Sequence, residues 1–83
     1  MVLFSIKMNG GTVMLYFARI KELRLEFKLS QSEICEYLIC DQSLYSKYER
    51  GMRNVPLEII LKLVKYYDVS ADYLLGLSDK RKH

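Results

Sequence analysis

Two helix-start signals stand so close together in residues 30–51, SQSEICEYLICDQSLYSKYERG, that only a pair of short helices and a tight turn can satisfy both. Ser30 followed by Glu33 makes an S-x-x-E capping box, in which the serine hydroxyl accepts from a free first-turn amide and the glutamate reaches back to the cap N–H. Leu29 ahead of the cap and Ile34 inside the helix form the matching hydrophobic staple. Asp41 starts a second helix, Cys40 and Tyr45 occupy its staple positions, and Gly51 ends it as a left-handed cap. The spacing predicts helices of about eight and about nine residues joined by a turn of about three. Ile34, Cys35 and Leu38 give the first an inward stripe, and Tyr45 and Tyr48 do the same for the second.

The same logic extends in both directions. Residues 13–28 read as a helix capped by Thr12, with Ile20, Leu23 and Phe27 recurring on one face and Tyr16 and Phe17 continuing that face a turn earlier. Pro56 suits the first turn of a helix, where its missing N–H would have no partner. Leu57, Ile60, Leu61, Val64 and Tyr67 form the expected buried face of that helix. A short last helix follows Ser70, with Asp72 at its positive end, Val69 and Leu74 as staple and Gly76 as stop. No segment alternates as a strand with hairpin turns would. The expected fold is all-α, with five short helices around one core. Local start signals and global pattern agree, as they should in a sequence that specifies one structure.

Composition narrows the function. The 83 residues make one domain, 51% of it hydrophobic, enough for a core without staples and too little for a separate ligand-binding domain. Any sensing is then expected through dimerisation, a partner protein or concentration. The net charge of +3 and pI near 8.9 permit nucleic-acid binding without requiring it. Distribution says more, because Lys47, Arg50 and Arg53 fall in or just after the second helix of the pair. The tail Lys80-Arg81-Lys82-His83 reads as a frayed, solvated end. No apolar run reaches the ~18–20 residues of a membrane span, and the VLFSI stretch has neither the charged start nor the cleavage site of a signal peptide. A cytoplasmic protein without a membrane partner is expected. Cys35 and Cys40 read as buried free thiols; a metal site would want more ligands at tighter spacing, and the single histidine, His83, is terminal. With no glycine-rich phosphate loop, no paired Cys and His and no metal triad, neither an enzyme nor a cofactor is expected.

Ser30-Gln31 opens one helix, Gln42-Ser43 opens the next, and Ser46-Lys47-Tyr48-Glu49-Arg50-Gly51 closes it. On these residues the segment resembles the Cro/C1-type helix-turn-helix regulators, the xenobiotic-response-element family of bacteria and phages. The likeness runs from Leu15 through RNVPLEIILKLVKYYDVSADYLLG to Leu77. It implies a five-helix, lambda-repressor-like domain in residues 14–77 whose second motif helix lies in the major groove of double-stranded DNA. It assigns base-edge contact to Gln42, Ser43 and Lys47, with Leu44 placed to touch a thymine methyl. The chemistry agrees, since glutamine pairs with adenine N6 and N7, lysine donates to guanine O6 and N7, and serine suits either. Gln31, at a helix N-terminus that already favours anions, is expected on a phosphate and as a brace for the first recognition residue. Ser46, Arg50, Arg53 and Asn54 are the other expected phosphate contacts, which position the protein without reading sequence. Arg24 and Glu49 are expected as a partly buried ion pair locking the first helix to the third. Tyr73, Leu74 and Leu77 would form a homodimer interface, and the dimer would repress transcription from an inverted repeat with half-sites about one helical turn apart. Two rival roles share the fold: an antitoxin with a toxin or anti-repressor partner, and a protein-interaction module that does not bind DNA.

The chain departs from that family in two places. Where relatives place glycine after the first motif helix, this chain has Ile39; a β-branched residue at positive φ is strained, so the turn is expected to be reshaped or the helix to run further. Cys35 replaces a commonly small alanine and is small enough to fit. Residues 1–13 precede the family-like start. Gly10-Gly11 can be encoded by GGAGGN, a purine-rich ribosome-binding sequence, with Met14 following after two intervening codons. That reads Met14 as the natural start and residues 1–13 as translated leader; alternatively VLFSIKM is an arm that pairs as a strand with a second subunit.

Overall fold

The computed structural model describes residues 10–82, with side chains from Phe17 onward, and within them forms five helices and no strand. They are α1 Gly10–Glu26, α2 Gln31–Leu38, α3 Gln42–Glu49, α4 Leu57–Tyr67 and α5 Ala71–Leu74. Of the four caps expected from sequence, those at Ser30, Asp41 and Ser70 are made, whereas Thr12 falls inside α1 and does not cap it. Glu33 N donates to Ser30 Oγ at 3.0 Å while Ser30 N donates to Glu33 Oε1 at 2.7 Å, completing the capping box. Leu44 N donates to Asp41 Oδ2, and Tyr73 N to Ser70 Oγ, both at 3.0 Å. Pro56 stands one residue outside the first turn expected for it, as the extended N-cap of α4. Residues 1–9 lie outside the described residues, and with them the VLFSIKM arm; α1 starts at Gly10 rather than Val13.

All five helices end alike. Lys28, Ile39, Gly51, Asp68 and Gly76 each take a left-handed conformation with φ between 55° and 80°. In each case the next residue's N–H reaches back to a carbonyl five positions earlier: Leu29 to Arg24, Cys40 to Cys35, Met52 to Lys47, Val69 to Val64 and Leu77 to Asp72, at 2.8–3.2 Å. This is the Schellman closure of a helix C-terminus. Gly51 is needed twice over, because a Cβ there would also stand 3.0 Å from the ring of Phe17. At Ile39 the expectation of a reshaped turn is corrected. α2 stops at Leu38, and Ile39 adopts φ 55° and ψ 57° despite its branched Cβ. The backbone closure holds it there, together with the side chains of Cys35 and Cys40, which stand where the motif usually places an apolar contact. The isoleucine is 83% exposed, so burial compensates little of the strain.

The core draws on every helix: Ile20 and Leu23, Ile34 and Leu38, Tyr45, Ile60 and Leu63, and Leu74 are all completely enclosed. Two expected faces are corrected. Phe27 lies beyond the end of α1, partly exposed, with its ring edge-on to Tyr67 at 4.9 Å. On α4 the buried set is Ile59, Ile60, Leu63 and Tyr67, while Leu57 and Leu61 face outward at 54% and 55% exposure. Lys62 helps fix this rotation: its Nζ donates at 3.1 Å to the carbonyl of Leu38, where the free C-terminal carbonyls of α2 favour a cation.

The basic tail is not frayed within the described residues. The N–H of Ser70 donates to the carbonyl of Arg81, and Ser70 Oγ donates to that of Lys80 at 3.1 Å. Arg81 makes two 2.7 Å bonds to Glu26, and Lys82 pairs with Asp68 at 2.6 Å. Beneath the tail, buried Arg19 donates to the carbonyls of Tyr73 and Ser78 and to Asp79 Oδ1. The ring of Tyr73 lies 4.0 Å from the Arg19 guanidinium and 5.3 Å from that of Arg81. Tyr73 and Leu74, expected on a dimer surface, are therefore enclosed by their own chain, and of that trio only Leu77 is exposed. No described helix is long and apolar enough to cross a membrane.

Candidate nucleic-acid interface

A helix of eight residues has little more than two turns, so burying one side chain per turn fixes what the rest display. In α3 those residues are Tyr45 and Tyr48, both buried, their rings edge-on at 6.3 Å. Gln42 and Ser43 are then fully outward at the start of the helix, and Leu44, Ser46 and Lys47 are half-buried along its flanks. Arg50, Arg53 and Asn54 are exposed just past its end. The Nε of Arg50 donates to the Ser46 carbonyl at 3.3 Å, laying that side chain along the last turn of α3. Among the described residues, Lys47, Arg50 and Arg53 form no ion pair with a carboxylate.

The one acid of the α3 C-terminal turn is withdrawn from this surface. Glu49 accepts from Arg24 Nε at 2.7 Å and from Arg24 Nη2 at 3.1 Å, with both side chains under 10% exposed. Arg24 also donates to the carbonyl of Leu29 at 2.8 Å, so one guanidinium ties α1 to α3 and to the entry of α2. Burial works against ionising Glu49, but bonds from Arg24 and Gln31 together with the Arg24 charge outweigh it and hold the carboxyl below its usual range. The same contact raises the Arg24 guanidinium still further above neutrality. Gln31 is half-buried, and its Nε2 donates to Glu49 Oε1 at 3.1 Å. Its amide thus braces the ion pair instead of Gln42, and links the start of α2 to the end of α3.

The expected site residues thus divide by position. Gln42, Ser43, Leu44, Ser46, Lys47, Arg50, Arg53 and Asn54 lie on or just beyond α3, Gln31 beside it, and the buried pair of Arg24 with Glu49 joins its last turn to α1. Two supports went unread in the sequence, Arg19 and Lys62. Their partners stand 24 to 60 positions away, so no local pattern marks them.

The family model for the helix-turn-helix matches residues 20–74. Over 65 residues the chain is 37% identical to an uncharacterized HTH-type transcriptional regulator, YobD, of Bacillus subtilis, an alignment covering 78% of this chain and 58% of that one. It is 31% identical over 65 residues to the cryptic phage CTXphi transcriptional repressor RstR of Vibrio cholerae, covering 78% and 59% respectively. The chain therefore spans less than three-fifths of the length of either relative. Among solved structures it is similar to the restriction-modification controller protein C.AhdI of Aeromonas hydrophila, with a TM-score of 0.67, 35% identity, and coverage of 75% of this chain and 94% of that one.

Proposed function

We propose that this chain, which belongs to the Cro/C1-type helix-turn-helix family of transcriptional regulators, binds double-stranded DNA sequence-specifically as a homodimer and represses transcription from an inverted repeat. The observation that carries this reading is the division of α3: two tyrosines inward, Gln42 and Ser43 outward, Lys47 half-buried on the flank between them, and the neighbouring acid consumed by Arg24. In the reading, Gln42 pairs with an adenine, Lys47 with a guanine, Ser43 with either, and Leu44 touches a thymine methyl. Gln31, Ser46, Arg50, Arg53 and Asn54 hold phosphates and set the register. One module of this size covers limited DNA, so two are needed for useful affinity, and exposed Leu77 is the surviving apolar candidate for their contact. Similarity to the phage repressor RstR and to the controller protein C.AhdI supports a regulatory role. The protein would act in the cytoplasm, where its DNA is.

Selection of bound oligonucleotides from a random pool tests the proposal. The expected product is a palindrome with half-site centres about 10 base pairs apart. No enrichment of any sequence at low salt would overturn it and favour an interaction module.

A further inference from the structure

Between α2 and α3 lies an open groove of about 560 Å³ lined by Ser32, Cys35, Glu36, Ile39, Cys40, Asp41 and Gln42. Two free thiols face each other there, with Cys40 Sγ 3.8 Å from Cys35 Sγ. Cys35 is buried on the inner face of α2, while Cys40 is half-buried in the turn. The backbone already holds them together: the Schellman bond runs from Cys40 N to Cys35 O at 3.2 Å. Bond formation needs the sulfurs to close to about 2.05 Å, a movement within reach of side-chain rotation and a small shift of the turn. The position is consequential, because Cys40 precedes Asp41, whose carboxylate caps α3, and Gln42, which begins it.

We propose that Cys35 and Cys40 are an oxidisable dithiol, closed into an intramolecular disulfide by a low-molecular-weight disulfide that enters this groove. The more accessible Cys40, as thiolate, attacks one sulfur of the small disulfide, forming a mixed disulfide and releasing one small thiolate. Cys35, as thiolate, then attacks Cys40 Sγ, forming the Cys35–Cys40 bond and releasing the second. The protein loses two electrons and the small disulfide gains them; the two protein thiol protons leave with the two small thiols. Burial, with Cys40 alongside, pushes the Cys35 thiol up to about 12, so the second step quickens as the pH rises, while the 3.8 Å separation of the sulfurs keeps it ahead of release of the adduct. Drawing Cys40 toward α2 moves the cap of α3 and re-aims Gln42. On the DNA-binding reading above, on which this consequence alone depends, affinity falls on the order of tenfold, within the range of one base contact.

The test incubates the whole chain with oxidised glutathione and follows intact mass and free thiols under non-reducing conditions. Both thiols should vanish together, with the mass falling by two hydrogens and no cross-linked chains. Cys35→Ser should stop at a stable glutathione adduct, and Cys40→Ser should remain unmodified; far-UV circular dichroism checks that each variant is folded. An adduct that persists on the unmodified chain, covalent dimers, or thiols that survive would overturn the proposal. Reduced and oxidised protein are then compared on a selected DNA site. Equal affinity would overturn the regulatory consequence while leaving the disulfide chemistry standing, and failure of the reduced form to bind any site would count against the DNA reading instead.

Discussion

Ile39 carries a backbone conformation that its branched Cβ resists, at a cost of roughly 1–2 kcal/mol for an L-residue, and its exposed side chain returns little of it. Ile39→Gly is expected to raise the unfolding free energy by about 1 kcal/mol, seen as a higher urea midpoint with an unchanged slope. A lower midpoint would mean that the isoleucine makes compensating contacts. Glu49 presents the opposite case, a costly group that is well partnered. Removing Arg24 strands a buried carboxylate, and Arg24→Ala should lose about 3–5 kcal/mol. The folded-state Glu49 carboxyl titrates below its unfolded value. Its contribution is therefore present above about pH 4.3 and drains away as the pH falls through the lower folded value. In Glu49→Gln that acid limb of the stability curve should flatten; an unchanged limb would assign acid sensitivity to other carboxylates.

Helix starts and helix ends were unequally legible. Ser30, Asp41 and Ser70 announce themselves because a capping side chain acts within three residues of its own position. Ends at Gly51 and Gly76 are equally plain, but Lys28, Ile39 and Asp68 reach the same left-handed state without glycine, so their turns could not be read. The rotation of α4 was legible and misread: Glu58, Lys62 and Lys65 form one polar stripe along LEIILKLVKYY, Leu61 lies beside that stripe, and Ile60, Leu63 and Tyr67 lie opposite it and are buried. The division of α3 into tyrosine and polar faces was readable, because its apolar residues are few and three apart. At this scale the phosphate assignment has its own signature. Arg53→Ala should weaken binding to all sites alike and lower the slope of log affinity against log salt by about one unit. A change in sequence preference would place Arg53 on a base.

Across the whole molecule, the C-terminal tail and α1 close over α5 through Arg19, and the fold depends on contacts between distant parts of the chain. Arg19→Ala should cost about 2 kcal/mol, from the loss of hydrogen bonds made by a charged and buried group. It should also speed amide exchange at Ser70, whose N–H is held by the Arg81 carbonyl. Unchanged exchange there would mean that Arg81 and Lys82 pin the tail unaided. Beneath all of this, the frame of α1, α2 and the Arg24–Glu49 pair serves to present α3, and the central claim is that its outward side chains read bases. The most direct measurement compares the sites selected from a random pool by the unmodified protein and by Lys47→Ala. The expected result is a palindrome whose preference relaxes at one position in each half-site, with about 1–3 kcal/mol lost on the original sequence. An identical preference in the variant, with affinity lowered evenly across all sequences, would contradict it.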